Sequence, residues 1–140
     1  QRGQYDDADR LFEQAIATPQ YRDLARSLMA QGICYARAGR MVPAEQKLLR
    51  AYEVDPTNPT TAYNLADVLY RRSELERARF YIRRVNDNEE LSNAQTLWLA
   101  ARIENKAGNR NAVEAFGRQL RARFPQSPQA QAYDSGRFND

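Results

Sequence analysis

Ala44, Ala78 and Ala112 recur at an interval of 34 residues, and no other feature constrains the chain as tightly. The larger apolar residue four places on keeps the same interval (Leu48, Ile82, Phe116). So do the next apolar position (Ala51, Val85 and, one residue late, Leu120) and a small residue in the helix before it (Gly32, Ala66, Ala100). Apolar residues at i, i+4 and i+7 share one helical face. Between Gly32 and Pro59 two such helices meet, broken by Gly39 and closed by Asp55-Pro56, and both are too short to hold a core alone. The unit therefore has to stack on copies of itself. Small residues let two helix axes approach where a leucine would wedge them apart. On this reading Ala78 sits at a tight crossing and Arg79 beside it on open surface.

A 34-residue period with small crossing residues, an apolar ladder and a closing proline resembles the tetratricopeptide repeat. The expected fold is all-α: a right-handed superhelix of about three and a half repeats with a C-terminal capping helix, one domain over 1–140. A half repeat occupies 1–22, where Gly3, Tyr5, Ala8, Phe12 and Ala15 give a turn and second helix without its first. Whole repeats follow at about 25–58, 59–92 and 93–126, with a terminal helix at about 127–135. Leu24, Leu28 and Tyr35 with Gly32 give the inward stripe of the first whole repeat. Ser92 or Asn93 caps the helix that runs to Asn105. The half repeat implies further repeats upstream. It also leaves Leu11, Phe12 and Ile16 as an edge that a second copy would cover.

Histidine is absent and Cys34 is the only cysteine. Ser-His-Asp and Cys-His catalysis, histidine-ligated zinc and cysteine-rich metal sites are thereby excluded, and no cofactor is expected. The acidic pairs Asp6-Asp7 and Glu89-Glu90 fall in turns or a first helical turn with no apolar pocket around them, as caps do. Cys34 and Trp98, each between apolar neighbours, are expected in the core. The net charge of +3 and pI near 9.2 invite a nucleic-acid reading. However, Glu74 precedes Arg77 and Glu76 precedes Arg79 by three residues, so part of the charge is locally paired and no nucleic acid is expected. The longest apolar runs are a few residues, far short of a bilayer span.

The first helix of each unit lines the inner face of such an array. That places Met29, Ile33 and Arg37, then Tyr63, Asp67, Tyr70 and Arg71, then Leu97, Ala101 and Glu104 as candidate protein-binding residues. Tyr63 and Tyr70, seven apart, share one stripe. The set is more apolar than charged, which suits an amphipathic helix or extended peptide held by apolar burial with little dependence on salt.

AQTLWLAARIENKAGNRNAVEAFGRQLRARFPQSPQAQ (94–131), together with GICYARAGR (32–40) and the two-residue-longer link before it, resembles the type IV pilus biogenesis and stability lipoproteins, the PilF/PilW family. The resemblance covers about 3–132. It implies a periplasmic scaffold held at the outer membrane by an N-terminal lipid and acting as pilotin: it would help the pilus secretin reach that membrane and assemble. The family's lipid-bearing cysteine lies ahead of these residues, so Cys34 is not its counterpart and the membrane enters only through that lipid. A general scaffold for another complex, or the regulatory arm of a larger enzyme, are the other readings.

Overall fold

The computed structural model describes residues 19–139, and every regular element among them is an α-helix. In chain order these are α1 (Pro19–Arg37), α2 (Met41–Val54), α3 (Pro59–Arg71), α4 (Leu75–Asn86), α5 (Ala94–Ala107), α6 (Arg110–Arg123) and α7 (Pro128–Asp134). The chain forms two compact units, Gln1–Asn64 and Leu65–Asp140, whose boundary falls within α3. The half repeat expected over 1–22, the edge at Leu11, Phe12 and Ile16, the self-association built on it and the pair Asp6-Asp7 lie outside the described residues, apart from the start of α1.

In the first unit α1 packs on α2. Ala25, Leu28, Ala51 and Val54 form its core, with Tyr21 and Met29 packed against them. The close approach demanded by the repeat is at Gly32, where a Cβ would meet Leu48 Cγ at 2.5 Å and the Ala44 carbonyl oxygen at 3.2 Å. Two expectations fail here. Leu24 is 40% exposed and Ala25 takes its place on the buried stripe. Cys34 is exposed, because two residues beyond Gly32 a helix has turned through about 200° and its side chain points away from α2.

The turns from first to second helix share one geometry. Arg40 N–H bonds to the Tyr35 carbonyl, Glu74 N–H to Leu69 and Asn109 N–H to Glu104, each spanning a residue with positive φ: Gly39 (79°), Ser73 (64°) and Gly108 (83°). This is the Schellman closure of a helix, for which glycine is the usual residue. Ser73 adopts it without that freedom. From Gly39 to Ser73 is the regular 34 residues, but Gly108 comes one later, so the last unit carries one extra residue between Ala100 and its turn.

That extra residue moves the buried face of α6. Ala44, Leu48 and Ala51 correspond to Ala78, Ile82 and Val85, and both trios are buried. In α6 the buried trio is Val113, Gly117 and Leu120, while Ala112 and Phe116, expected from a strict interval, are only half-buried. Leu120, one residue late by that count, is in register once the whole helix is shifted.

The second unit is closed by α7. Leu97, Trp98, Ala101, Leu120 and Ala130 form its core, with Phe124, Tyr133 and Phe138 among the residues packed on it. Phe138 stacks on Trp98 at 5.1 Å between centroids, and the Tyr133 ring lies where a Cβ on Gly117 would have to be. Trp98 is thus a core residue. Asn93 rather than Ser92 caps α5: its side-chain oxygen accepts from Thr96 N–H (2.9 Å), while Thr96 Oγ1 accepts from Asn93 N–H (2.8 Å). Ser127 Oγ likewise accepts from Ala130 N–H at 3.0 Å, with Pro128 in the first turn of α7. The polar link 87–92 has no glycine or proline to set it. It is held from α6 by Arg123, which donates to Ser92 Oγ (3.1 Å) and to the Ser92 and Glu89 carbonyls (3.3 and 3.2 Å).

Two substitutions test these contacts by urea denaturation. Ser73→Gly should stabilise the chain by about 0.5–1 kcal/mol, because glycine adopts the left-handed turn without a Cβ penalty. Gly117→Ala should destabilise it by about 1–3 kcal/mol by displacing Tyr133 and the closing helix.

Candidate functional site

In the first unit Met29 and Ile33 are half-buried, Arg37 is exposed and Tyr63 is half-buried. Met29 is tied down through its sulfur, which accepts from Thr61 Oγ1 at 3.2 Å and, more weakly, from Asn58 Nδ2 at 3.9 Å. In the second unit Asp67 and Arg71, one turn apart on α3, form an ion pair at 3.1 Å, and Tyr70 beside them is half-buried.

Leu97, Ala101 and Glu104 are not accessible. Leu97 and Ala101 have 0% exposure and Glu104 5%. The expectation carried the open inner face of the earlier first helices onto α5, but α6 and α7 pack on α5 and bury that face. Apolar binding area expected from these residues is core instead.

Glu104 has an internal task. Arg79 on α4 donates through Nε to Glu104 Oε2 at 2.7 Å and through Nη2 to Oε1 at 2.8 Å, a bidentate pair. Asn109 Nδ2 donates to the same Oε1 at 2.7 Å. Burial by itself would push the Glu104 carboxyl up. The hydrogen bonds from Arg79 and Asn109, with the charges of Arg79 and Arg83, outweigh it and hold the carboxyl below its ordinary value, while the bond to Glu104 raises Arg79. Arg79 is therefore not the open-surface residue expected: its side chain is 21% exposed, and its main partner lies on the next helix rather than at Glu76. A residue 25 positions away leaves no local signal in the sequence.

Two side chains that sequence reasoning passed over, Arg102 and Lys106 on α5, gather at Tyr70 of α3. Arg102 and Lys106 lie over the Tyr70 ring, 5.3 and 5.1 Å from its centroid, and Arg102 also lies 5.9 Å from the centroid of Trp98. The i, i+4 spacing of the two cations was the available clue. Elsewhere in the unit a cleft of about 460 Å³ opens beside Val113, Tyr133 and Phe138; its lining carries Arg110 and Arg121 against Glu114, and Arg121 is already paired with Asp134 at 2.7 Å. Among the described residues no three His, Cys, Asp or Glu side chains gather as metal ligands, and no helix is long and apolar enough to cross a membrane.

No family model and no curated protein matches the chain. Among solved structures, PilW, a widely conserved type IV pilus biogenesis factor, superposes with a TM-score of 0.73 at 28% identity over 91% of this chain. PilF of Pseudomonas aeruginosa superposes with a TM-score of 0.66 at 21% identity over 96%. The chain has the fold of PilW and PilF. It is an all-helical tetratricopeptide chain like theirs. It spans 58% of PilW and 60% of PilF. At its lower identity the likeness to PilF carries the fold alone. In this PilW-like fold the LWL run (97–99) and Phe124 of the trailing RFP are packing residues: Leu97, Trp98 and Leu99 are buried, and Phe124 packs on the core that holds Leu97 and Trp98.

Arg79→Ala should destabilise the protein by about 3 kcal/mol, since it leaves a buried carboxylate without its partner. Because the Glu104 carboxyl is held low, its contribution is complete above the ordinary value of 4.5 and is lost as pH falls through the lowered folded value. Denaturation from pH 6 down to 3 should therefore show a fall in stability below about 4.5 that Glu104→Gln removes.

Proposed function

We propose that this chain is a non-catalytic interaction scaffold in type IV pilus biogenesis. It works at the periplasmic face of the outer membrane and assists the pilus secretin to reach that membrane and assemble. The observation that carries the reading is the likeness to PilW over 91% of the chain at 28% identity. The chemistry is compatible with it. The chain has no histidine, and its buried acid Glu104 is committed to Arg79. What the surface offers instead is half-buried aromatic and aliphatic side chains beside arginines, the composition of protein contacts rather than of a reacting centre.

The partner-facing residues on this reading are the inner-helix candidates that remain at the surface: Met29, Ile33, Arg37 and Tyr63 in the first unit, and Asp67, Tyr70 and Arg71 in the second. Leu97, Ala101 and Glu104 act within the second unit, by holding α5 in place.

The experiment is a complementation assay: cells lacking the full-length protein are supplied with variants, and secretin multimers in the outer membrane are quantified. Tyr70→Ala should weaken secretin binding at least fivefold, about 1 kcal/mol, with the melting temperature nearly kept. Leu97→Ala should instead cost roughly 2–5 kcal/mol of stability. Normal secretin multimers in cells lacking the protein would overturn the assignment.

A further inference from the structure

The second unit holds two cations whose charge nothing in the described chain answers. Arg102 and Lys106, one turn apart on α5, share the ring of Tyr70 at 5.3 and 5.1 Å. Arg102 Nε is buried and has no hydrogen-bond acceptor. A ring attracts a cation through its quadrupole, but it does not replace an oxygen acceptor in the guanidinium plane, and an unsatisfied buried donor is costly. The sequence of the two helices leaves no internal solution. Asp67 is the only carboxylate on α3 and Glu104 the only one on α5, and each is committed to another arginine, Asp67 to Arg71 at 3.1 Å and Glu104 to Arg79 at 2.7 Å. Arg102 and Lys106 have no ion pair among the described residues.

We propose that Tyr70, Arg102 and Lys106 form a receptor for an acidic side chain of a protein partner. With Arg102 Nε buried, the carboxylate of a glutamate or aspartate accepts from the terminal Nη groups of Arg102 and from the Lys106 ammonium, and its aliphatic stem packs on the Tyr70 ring. The aromatic wall favours a side chain over a bare anion. A free phosphate uses the charges alone, whereas a glutamate also buries its methylenes. The inference rests on reading the chain as a protein-interaction scaffold and specifies the chemistry of its partner. It also replaces the salt-insensitive apolar contact expected from sequence: with Leu97 and Ala101 in the core, what the second unit leaves open around Tyr70 is cationic and aromatic.

The test is a titration of the full chain, with labelled arginine and lysine side chains observed by NMR, against four probes. These are the peptide acetyl-Ala-Glu-Leu-Glu-Ala-amide, its Gln-for-Glu twin, inorganic phosphate, and vesicles of phosphatidylglycerol. The Glu peptide is expected to shift Arg102 Nε–H and the Lys106 ammonium, and the Gln twin to leave both unmoved. Lys106→Gln, an exposed position whose loss leaves the fold intact, should weaken the Glu peptide at least threefold and flatten its salt dependence. Equal shifts with the Gln twin, tighter binding of phosphate or vesicles than of the Glu peptide, or an unchanged affinity in Lys106→Gln would each overturn the proposal.

The secretin's periplasmic domain is titrated separately, so that the two readings fail independently. If that domain does not bind while the Glu peptide behaves as expected, the secretin assignment falls and the carboxylate receptor stands. If it binds equally well to Lys106→Gln with the same salt dependence, the receptor falls as its docking point and the secretin assignment stands.

Discussion

Two helices can bury each other only as closely as the residues between them allow, and that distance organises this chain. At Gly32 there is no room for a single carbon, because the Leu48 side chain and the Ala44 carbonyl fill the space. Ala44, Ala78, Ala66 and Ala100 recur for the same reason, each almost or wholly without exposure. Packing density in a core is that of an organic crystal, so a crossing set by glycine and alanine cannot absorb a larger residue without moving an axis.

Where the helices cross dictates which way each second helix rolls, and the turn before it sets the phase. One extra residue between Ala100 and Gly108 is enough to bring Val113 and Gly117 inward in place of Ala112 and Phe116. The small residue then does a second service, since Gly117 gives the Tyr133 ring a seat and α7 can close the unit. Closure in turn buries the face of α5 that would otherwise have been open. A single insertion thus changes which residues are available to a partner.

The same closure concentrates polar chemistry. Glu104, beside the displaced turn, collects Arg79 and Asn109 and becomes a buried strut between α4, α5 and the start of α6. A buried ion pair is a poor source of net stability but an exacting positional constraint, because either partner left alone is expensive. With Asp67 and Glu104 both committed, Arg102 and Lys106 are left on Tyr70 to meet whatever approaches from outside.

The all-α fold, the repeat and the helix boundaries to within a few residues were legible in the sequence, because the 34-residue interval, the glycine breaks and the capping residues act over one or two helical turns. The crossing at Gly32 and the pilus-factor resemblance were legible for the same reason: they reside in local strings of residues. Much of the candidate site was not. Cys34 points outward because of a helix phase that only the partner helix fixes. Glu104 reads as an exposed acid until Arg79, 25 residues earlier, reaches it. Leu97 and Ala101 read as inner-face residues until a seven-residue helix folds back over them. Propensity and periodicity are carried by near neighbours in the chain, whereas burial and charge pairing are decided by which distant helices arrive, and that belongs to the tertiary structure alone.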